Sequence, residues 1–291
     1  MSTLAINLTY VASTVLFIFG LKMLGSPATA RRGNLFSAIC MLLAVVAVLL
    51  TKGLSYQVIL IAVTIGAVLG VLAARLIAMT AMPEMVALLN GSGGIASLFV
   101  GWSVYHFRAD GDILTSITTI LSFLIGGVTF TGSIIAWGKL SEKISGKPIL
   151  YPGQQVVNSL ILLGLLIGSI IFCMNPAANY PIFLGIIIVS FILGVLVVIP
   201  IGGADMPVVI SLLNSYSGLA ACAAGFVIQN NILIVAGSLV GASGIILTNI
   251  MCKAMNRSLS NVLFSGFGAT TQKTSDGPQG DVKPISVQDA Y

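Results

Sequence analysis

The stretch from Pro181 to Ile201 reads PIFLGIIIVSFILGVLVVIPI and contains no charged side chain. An α-helix needs about 20 apolar residues to cross roughly 30 Å of hydrocarbon, and this stretch has that length and composition. Strands of a membrane barrel would instead be near 10 residues long, with alternating polarity. Eight further apolar runs qualify as spanning helices, at about 4–24, 34–51, 56–79, 84–106, 113–138, 155–174, 206–228 and 231–255. The sequence therefore predicts an all-α, polytopic transmembrane bundle of nine helices.

The composition excludes a water-soluble fold. Hydrophobic residues make up 57% of the chain and charged residues only 7%, whereas soluble domains carry roughly 25% charged residues. The net charge of +5 raises nucleic acid as a partner. However, the basic residues are scattered through short loops and form no patch interleaved with aromatic side chains, so we expect no nucleic-acid binding. The four cysteines form no CxxC motif and lie in or beside apolar runs, so they indicate neither a metal site nor a disulfide.

The basic residues also predict the orientation, because cytoplasmic loops of membrane proteins are enriched in lysine and arginine. If the N-terminus is outside, most basic residues fall on the cytoplasmic side, namely Lys22, Arg31, Arg32, Arg75, Lys139, Lys143, Lys147, Lys253, Arg257, Lys273 and Lys283. Only Lys52 and Arg108 then fall on the outer side. We therefore predict an outer N-terminus and a cytoplasmic C-terminus.

The chain divides into a membrane part and a polar tail. Residues 1–258 are predicted to form the transmembrane domain, and residues 259–291 a polar linker. From Gly266 onward the chain is rich in glycine, proline and serine without periodicity, which is typical of a linker or disordered tail. The first apolar run has no basic segment before it, so we interpret it as a retained helix and not as a cleaved signal peptide.

The eighth predicted helix carries the most informative polar residues. Asp205, with a proline two residues later, is typical of a helix N-terminus, so its carboxylate is either a cap or a functional group. Asn214 lies nine residues further on, roughly 13 Å along the helix axis and close to the bilayer midplane. Ser211 and Gly218 are spaced to share its face, and Ser215 follows it. An amide at that depth either bonds a neighbouring helix or holds water.

The fourth predicted helix carries a second set of polar residues. Glu84 is expected near the cytoplasmic surface, and Asn90 roughly 9 Å deeper, so that Asn90 and Asn214 would bracket a water-filled cavity. The run Gly91–Ala96 formally matches GxGxxA, but it lacks the preceding strand of a dinucleotide site and is better explained by helix packing. His106 is either a proton relay or, as we favour, part of the outer aromatic belt.

Glycines recur at four- and three-residue spacing, a pattern typical of closely packed membrane helices. On the ninth helix these are Gly237, Gly241 and Gly244. On the fifth helix Gly132 lies among the hydroxyl side chains of Thr129, Thr131 and Ser133. We predict that the four glycines allow close approach of neighbouring helices.

Four motifs in the chain resemble those of one family. They are Ile201–Gly218 (IGGADMPVVISLLNSYSG), Met79–Glu84 (MTAMPE), Gly127–Ser133 (GVTFTGS) with a following Gly138-Lys-Leu, and Ile250–Ser258 (IMCKAMNRS). In their order along the chain they resemble motifs of the beta subunit of proton-translocating NAD(P) transhydrogenase, and the resemblance covers residues 1 to about 270. The resemblance implies hydride transfer from NADH to NADP⁺ coupled to inward proton movement.

The same resemblance implies where cofactors and partners lie. NAD(H) would bind a soluble domain of the alpha subunit, and NADP(H) a soluble domain that follows the beta membrane helices. This chain would then bind neither cofactor and supply no catalytic residue for hydride transfer. The implied partners are alpha subunits with further membrane helices, the NADP(H)-binding domain, membrane lipid and a second protomer in a dimer. The implied location is a bacterial inner membrane.

Residue roles follow from the resemblance position by position. It assigns Asn214 to the proton path, Asp205 to coupling at the cytoplasmic mouth, and Lys253 and Arg257 to the junction between the last helix and the linker. In part of the family the position of Asn90 is a histidine that takes up protons. An amide has no useful pKa, so we expect the titrating group to come from a partner chain.

Helices 4, 5, 8 and 9 are therefore expected to line a hydrated path. Its waters would be held by Asn90, Ser211, Asn214 and Ser215, with Glu84 and Asp205 at the cytoplasmic end. The alternative function is a proton- or ion-coupled secondary transporter without nucleotide chemistry, because midplane polar residues serve that class too. A third possibility is a structural anchor that keeps soluble domains at the membrane.

Overall fold

The computed structural model describes residues 3–50, 54–107 and 112–263. Within these residues nine helices are long and apolar enough to cross a membrane, which confirms the predicted all-α bundle. They are α1 (Thr3–Leu24), α2 (Pro27–Leu49), α3 (Tyr56–Leu76), α4 (Met82–Phe107), α5 (Ile113–Leu140), α6 (Gln154–Met174), α7 (Tyr180–Val198), α8 (Met206–Val227) and α9 (Asn231–Ala254). Short 3₁₀ turns, Met79–Ala81 and Gly203–Asp205, lead into α4 and α8, and a short helix α10 (Leu259–Leu263) follows α9.

Several helix boundaries differ from the predicted ones by a few residues, including the end of α3 at Leu76 and not at residue 79. Two of the differences have local reasons. α2 begins at Pro27 and not near residue 34. Proline is well suited to the first helical turn, and the long side chains of the arginines that follow reach toward water from within the helix. α7 ends at Val198 and not at residue 201, because Pro200 lacks the N–H that a continuing helix requires.

The orientation and the linker stay predictions. The basic residues Lys52, Arg108, Lys273 and Lys283 lie outside the described residues. The first five residues of the predicted linker form α10, and its Val262 is fully buried in the apolar cluster around the start of α8. The rest of the linker, from residue 264, lies outside the described residues.

The helices α5 and α8 form the centre of the bundle. α8 packs against α4, α5 and α9, and α5 packs against α4, α7 and α8. α6 lies against α7, while α1 pairs with α2 and touches α9. α3 has no buried residue. The polar positions of the fourth, fifth, eighth and ninth predicted helices are thereby gathered around α8.

The four glycines predicted to pack helices all lie at crowded positions. A Cβ atom would come within 3.1 Å of a neighbouring heavy atom at Gly132, Gly237, Gly241 and Gly244. The contact is tightest at Gly237 on α9, where a Cβ would lie 2.5 Å from the backbone nitrogen of Cys222 on α8. Backbone atoms have little room to move, so α8 and α9 are this close only because glycine lacks a side chain.

We expect Gly237→Ala to lower the thermal stability of the protein. The added methyl group meets the α8 backbone and forces the two helices apart, and overpacking of this kind costs about 1–3 kcal/mol. Gly164→Ala on α6 is the matched control, because nothing lies within 4 Å of a Cβ at that position. Melting of the purified protein in detergent compares the two variants. Equal melting temperatures would contradict the close α8–α9 contact.

Candidate functional site

Asn90 lies at the interface between α4 and α8. Its side chain is buried, with 6% of the residue exposed. The amide nitrogen Nδ2 donates a hydrogen bond to the backbone carbonyl oxygen of Ile210 at 3.1 Å. Ile210 is one helical turn before Asn214 on α8, so the Asn90 amide faces α8 close to the level of Asn214.

Asn214 lies at a border between two surfaces of α8. Ile210 and Ser217, four residues before and three after, touch α4, since Ile210 bonds Asn90 and a Cβ at Gly93 would lie 3.6 Å from Ser217 Cβ. Gly218, four residues after Asn214, faces α9. α4 and α9 pack on different sides of α8 and make little contact with each other. Asn214 therefore faces the groove on the surface of α8 that lies between α4 and α9.

The side-chain amide of Asn214 makes no hydrogen bond to any side chain or backbone group that the structure describes. Only its backbone carbonyl is engaged by a side chain, accepting a hydrogen bond from Ser217 Oγ at 2.8 Å. The residue is half-buried. A polar amide in a membrane helix needs a partner, and Asn214 is accessible enough to bond water or a group from another chain.

Ser211 and Ser215 are turned toward α9 and not toward Asn90. Ser211 Oγ donates to the carbonyl of Gly244 at 3.4 Å, and Ser215 Oγ donates to the carbonyl of Gly241. Both serines are buried. The spacing rule that put Ser211 on the face of Asn214 is only partly met, because residues three apart still differ by about 60° around the helix axis, and that is enough to change the neighbouring helix.

Thr248 on α9 belongs to the same group and was missed in the sequence. Its hydroxyl lies 3.1 Å from Ser211 Oγ and 2.7 Å from the carbonyl of Gly244, and the residue is fully buried. The available signal was its position four residues after Gly244, which places both on one face of α9. The hydroxyls of Ser211, Ser215 and Thr248 thus connect α8 to α9 by hydrogen bonds beside Gly241 and Gly244, where the two helices pack closely.

Asp205 forms an ion pair and does not cap α8. Its Oδ2 accepts a hydrogen bond from Arg257 Nη1 at 3.1 Å. The carboxylate makes no capping bond to the backbone of α8. Its second oxygen, Oδ1, is buried and finds no partner in the described part of the chain. The structure thus excludes the interpretation of Asp205 as a simple cap. The carboxylate at the start of α8 is paired with a residue in the segment that follows α9.

The other two charged residues of the expected mouth make no such pair. Glu84, in the first turn of α4, is half-buried, and Lys253, in the last turn of α9, is exposed. Among residues 3–50, 54–107 and 112–263, Asp205 and Arg257 form the one ion pair found. The structure therefore brings together Asp205 and Arg257 but pairs neither Glu84 nor Lys253 with an opposite charge.

Two polar residues on α5 add to the site. Ser133 is fully buried, and its Oγ has no hydrogen-bond partner among the described residues. It packs on Gly91, next to Asn90, with 3.0 Å between Ser133 Cβ and a Cβ built at Gly91.

Lys139, counted in the sequence with the loop charges, is instead buried at the end of α5. The sequence does not distinguish a basic side chain near a helix end that points to water from one that points into the bundle.

Two cavities lie away from the asparagines. One, of about 420 Å³, is an almost wholly apolar space between α5 and α6. The other, of about 470 Å³, lies between α6, α7 and α8, and its lining includes the polar side chains of Gln154, Asn158 and Tyr216. Neither is lined by Asn90 or Asn214. In the part of the chain that the structure describes, no three His, Cys, Asp or Glu residues cluster as metal ligands would.

Comparison with known proteins gives a consistent result. A family model described as NAD(P) transhydrogenase beta subunit matches residues 6–291. Two curated sequences from Rhodospirillum rubrum, each named NAD(P) transhydrogenase subunit beta, are 40% identical to the chain over 293 aligned positions. The alignment covers 97% of this chain and 63% of each relative. The chain thus spans less than two-thirds of the length of these relatives.

Proposed function

Because this chain belongs to the family of NAD(P) transhydrogenase beta subunits, we propose that it forms the membrane part through which such an enzyme moves protons. It is an integral membrane protein with nine spanning helices among the described residues. The proposed reaction is hydride transfer from NADH to NADP⁺ coupled to inward proton movement. The nucleotides bind soluble domains associated with this chain, and the complex lies in a bacterial inner membrane as a dimer of protomers.

The observation that carries this proposal is the pair of amides on α4 and α8. Asn90 reaches α8 one turn before Asn214, and Asn214 is half-buried, with a side-chain amide that bonds no group in the part of the chain that the structure describes. An amide can donate to and accept from water, so it orders a chain of waters without titrating. The buried, unpartnered hydroxyl of Ser133 beside Gly91 extends the polar surface into α5.

The titrating group of the path comes from a partner subunit. His106, the one histidine of the chain, is exposed in the last turn of α4, four turns beyond Asn90. The groove beside Asn214, between α4 and α9, offers a place for a helix of the alpha subunit. A histidine on that helix would meet water held by Asn214, Asn90 and Ser133. Ser211 and Ser215 contribute by fixing α8 on α9.

The cytoplasmic mouth transmits the state of the path to the NADP(H) domain. Asp205 opens α8, and Arg257 lies where the chain passes from α9 to α10. Their ion pair joins the start of the proton-path helix to the segment that leads out of the membrane part. Lys253 and Glu84 add charge near the same surface. A proton and a nucleotide that each bias this contact must alter each other's binding.

A reconstituted complex tests the proposal. The chain is co-purified with alpha-type partner chains and its NADP(H) domain, placed in sealed vesicles, and supplied with NADPH and an NAD analogue. We expect hydride transfer to produce a pH difference across the membrane that an uncoupler abolishes. A secondary transporter would move protons without nucleotides. An anchor would allow hydride transfer with no proton movement. Either result would overturn the proposal.

A further inference from the structure

Lys139 is a buried lysine whose ammonium pairs with no carboxylate among the described residues. It lies in the last turn of α5 and is 3% exposed. Its ammonium donates hydrogen bonds to the backbone carbonyls of Ile199 and Ile201, the latter at 2.7 Å. The single ion pair found among the described residues, Asp205–Arg257, does not include it. Burying a charge without a counter-ion is costly, so the hydrogen bonds of this ammonium to the two carbonyls are needed to offset that cost.

The two carbonyls that accept from Lys139 lie in the connection between α7 and α8. α7 ends at Val198, and the carbonyls at the end of a helix have no partner within it and carry partial negative charge. The ammonium of Lys139 supplies these carbonyls with a hydrogen-bond donor and places a positive charge next to their partial negative charge. The connection is also bonded to the loop that follows α5, because Ile149 N donates to Ile199 O at 3.4 Å and Gly203 N donates to Gly146 O at 2.8 Å.

This connection carries Asp205 at its end. Ile201 is fully buried, and only three residues separate it from Asp205. Two of these are glycines, Gly202 and Gly203, so side chains do little to restrict the turn. The position of the Asp205 carboxylate therefore depends on the backbone bonds that hold this connection. Gly203 N is held by Gly146 O, and Lys139 is the side chain that holds the carbonyls of Ile199 and Ile201.

We propose that Lys139 is a positioning residue that places Asp205 against Arg257, and that it thereby links α5 to the coupling contact at the cytoplasmic mouth. The inference rests on the proposed function. Lys139 touches no nucleotide and carries no proton in this role. It acts through the α7–α8 connection, and removing its ammonium releases the carbonyls of Ile199 and Ile201 and shifts the turn that bears Asp205.

The test measures protons moved per hydride transferred, in vesicles that contain the full complex. We expect Lys139→Met to lower this ratio by about fivefold or more, while hydride transfer itself stays measurable. Lys139→Arg, which keeps charge and donors, is expected to recover part of the ratio. Lys147→Met is the matched control, because Lys147 is exposed in the loop after α5. A ratio equal to that of the native complex, or a parallel loss of both rates, would overturn the proposal.

A double-mutant cycle with Arg257→Gln separates positioning from a general loss of stability. If Lys139 acts through the Asp205–Arg257 contact, adding Lys139→Met to Arg257→Gln changes the ratio no further. Independent, additive effects would refute the link. Lys139→Gln serves as a second neutral variant if Lys139→Met does not assemble, and failure of both to assemble would show a purely structural role. If the native complex itself moved no protons, the proposed function would fail, which is a different result.

Discussion

Replacing Asp205 with asparagine is expected to lower proton-coupled hydride transfer of the assembled complex by about tenfold or more. The exchange removes the charge that receives Arg257 while keeping the shape of the side chain. Asp205 is buried and Arg257 is half-exposed. Water can therefore solvate the arginine after the exchange, and we expect the lost activity to come from the altered contact and not from an unpaired arginine charge. Rates are measured in vesicles with and without an uncoupler, so that coupled and uncoupled transfer are separated.

Asp112→Asn is the matched control for Asp205→Asn. Asp112 precedes α5 at its other end, is exposed, and accepts a hydrogen bond from the backbone of Ile113. It carries the same charge and undergoes the same exchange, but it lies far along α5 from Lys139 and the mouth. We expect its effect on coupled transfer to be less than twofold. Native turnover in Asp205→Asn would show that the ion pair with Arg257 plays no part in coupling.

Asn214→Leu is expected to reduce proton-coupled turnover by about tenfold or more. Leucine branches at Cγ as asparagine does, although it is larger, and it neither donates nor accepts a hydrogen bond, so the polar surface between α4 and α9 is interrupted. The backbone contact from Ser217 Oγ to the carbonyl of residue 214 is retained. We therefore expect assembly and melting temperature to change little, while the pH difference formed by NADPH and an NAD analogue collapses.

Asn158→Leu controls for the loss of an amide from a membrane helix. Asn158 is half-buried on α6, where its Oδ1 accepts from the hydroxyl of Tyr151 at 2.9 Å. The same exchange there removes a hydrogen bond at the cavity between α6, α7 and α8, which neither Asn90 nor Asn214 lines. We expect turnover close to that of the native complex. Coupled turnover that survives in Asn214→Leu as well would remove Asn214 from the proton path.

The nine helices could be predicted from sequence because the requirement that defines them is local. Each span needs about 20 apolar residues in a row, and that property is visible without any partner. The start of α2 was misplaced because Arg31 and Arg32 are charged yet lie within the helix. Hydropathy cannot separate an arginine whose stem lies along the helix and reaches water from one in a loop.

The site was predicted less completely because contacts between helices are not local. The sequence gives the face of Asn214 on α8 but not the identity of the helix opposite each face. Ser211 therefore appeared beside Asn214, whereas its hydroxyl bonds α9. That the Asp205 carboxylate pairs with another side chain and does not cap α8 depends on the position of Arg257, 52 residues away. Lys139 was hidden for the same reason, since its acceptors lie on the connection after α7.

The ion pair between Asp205 and Arg257 joins the two ends of the α8–α9 hairpin. α8, its tight turn to α9, α9 itself and the ion pair together form a closed ring, whose long sides are bound along their length by glycine contacts and serine hydrogen bonds. A ring closed by one half-exposed ionic contact opens at that contact first, because water and salt screen it while the long sides stay dry. We therefore expect motion in this hairpin to begin at the end that carries Asp205 and Arg257.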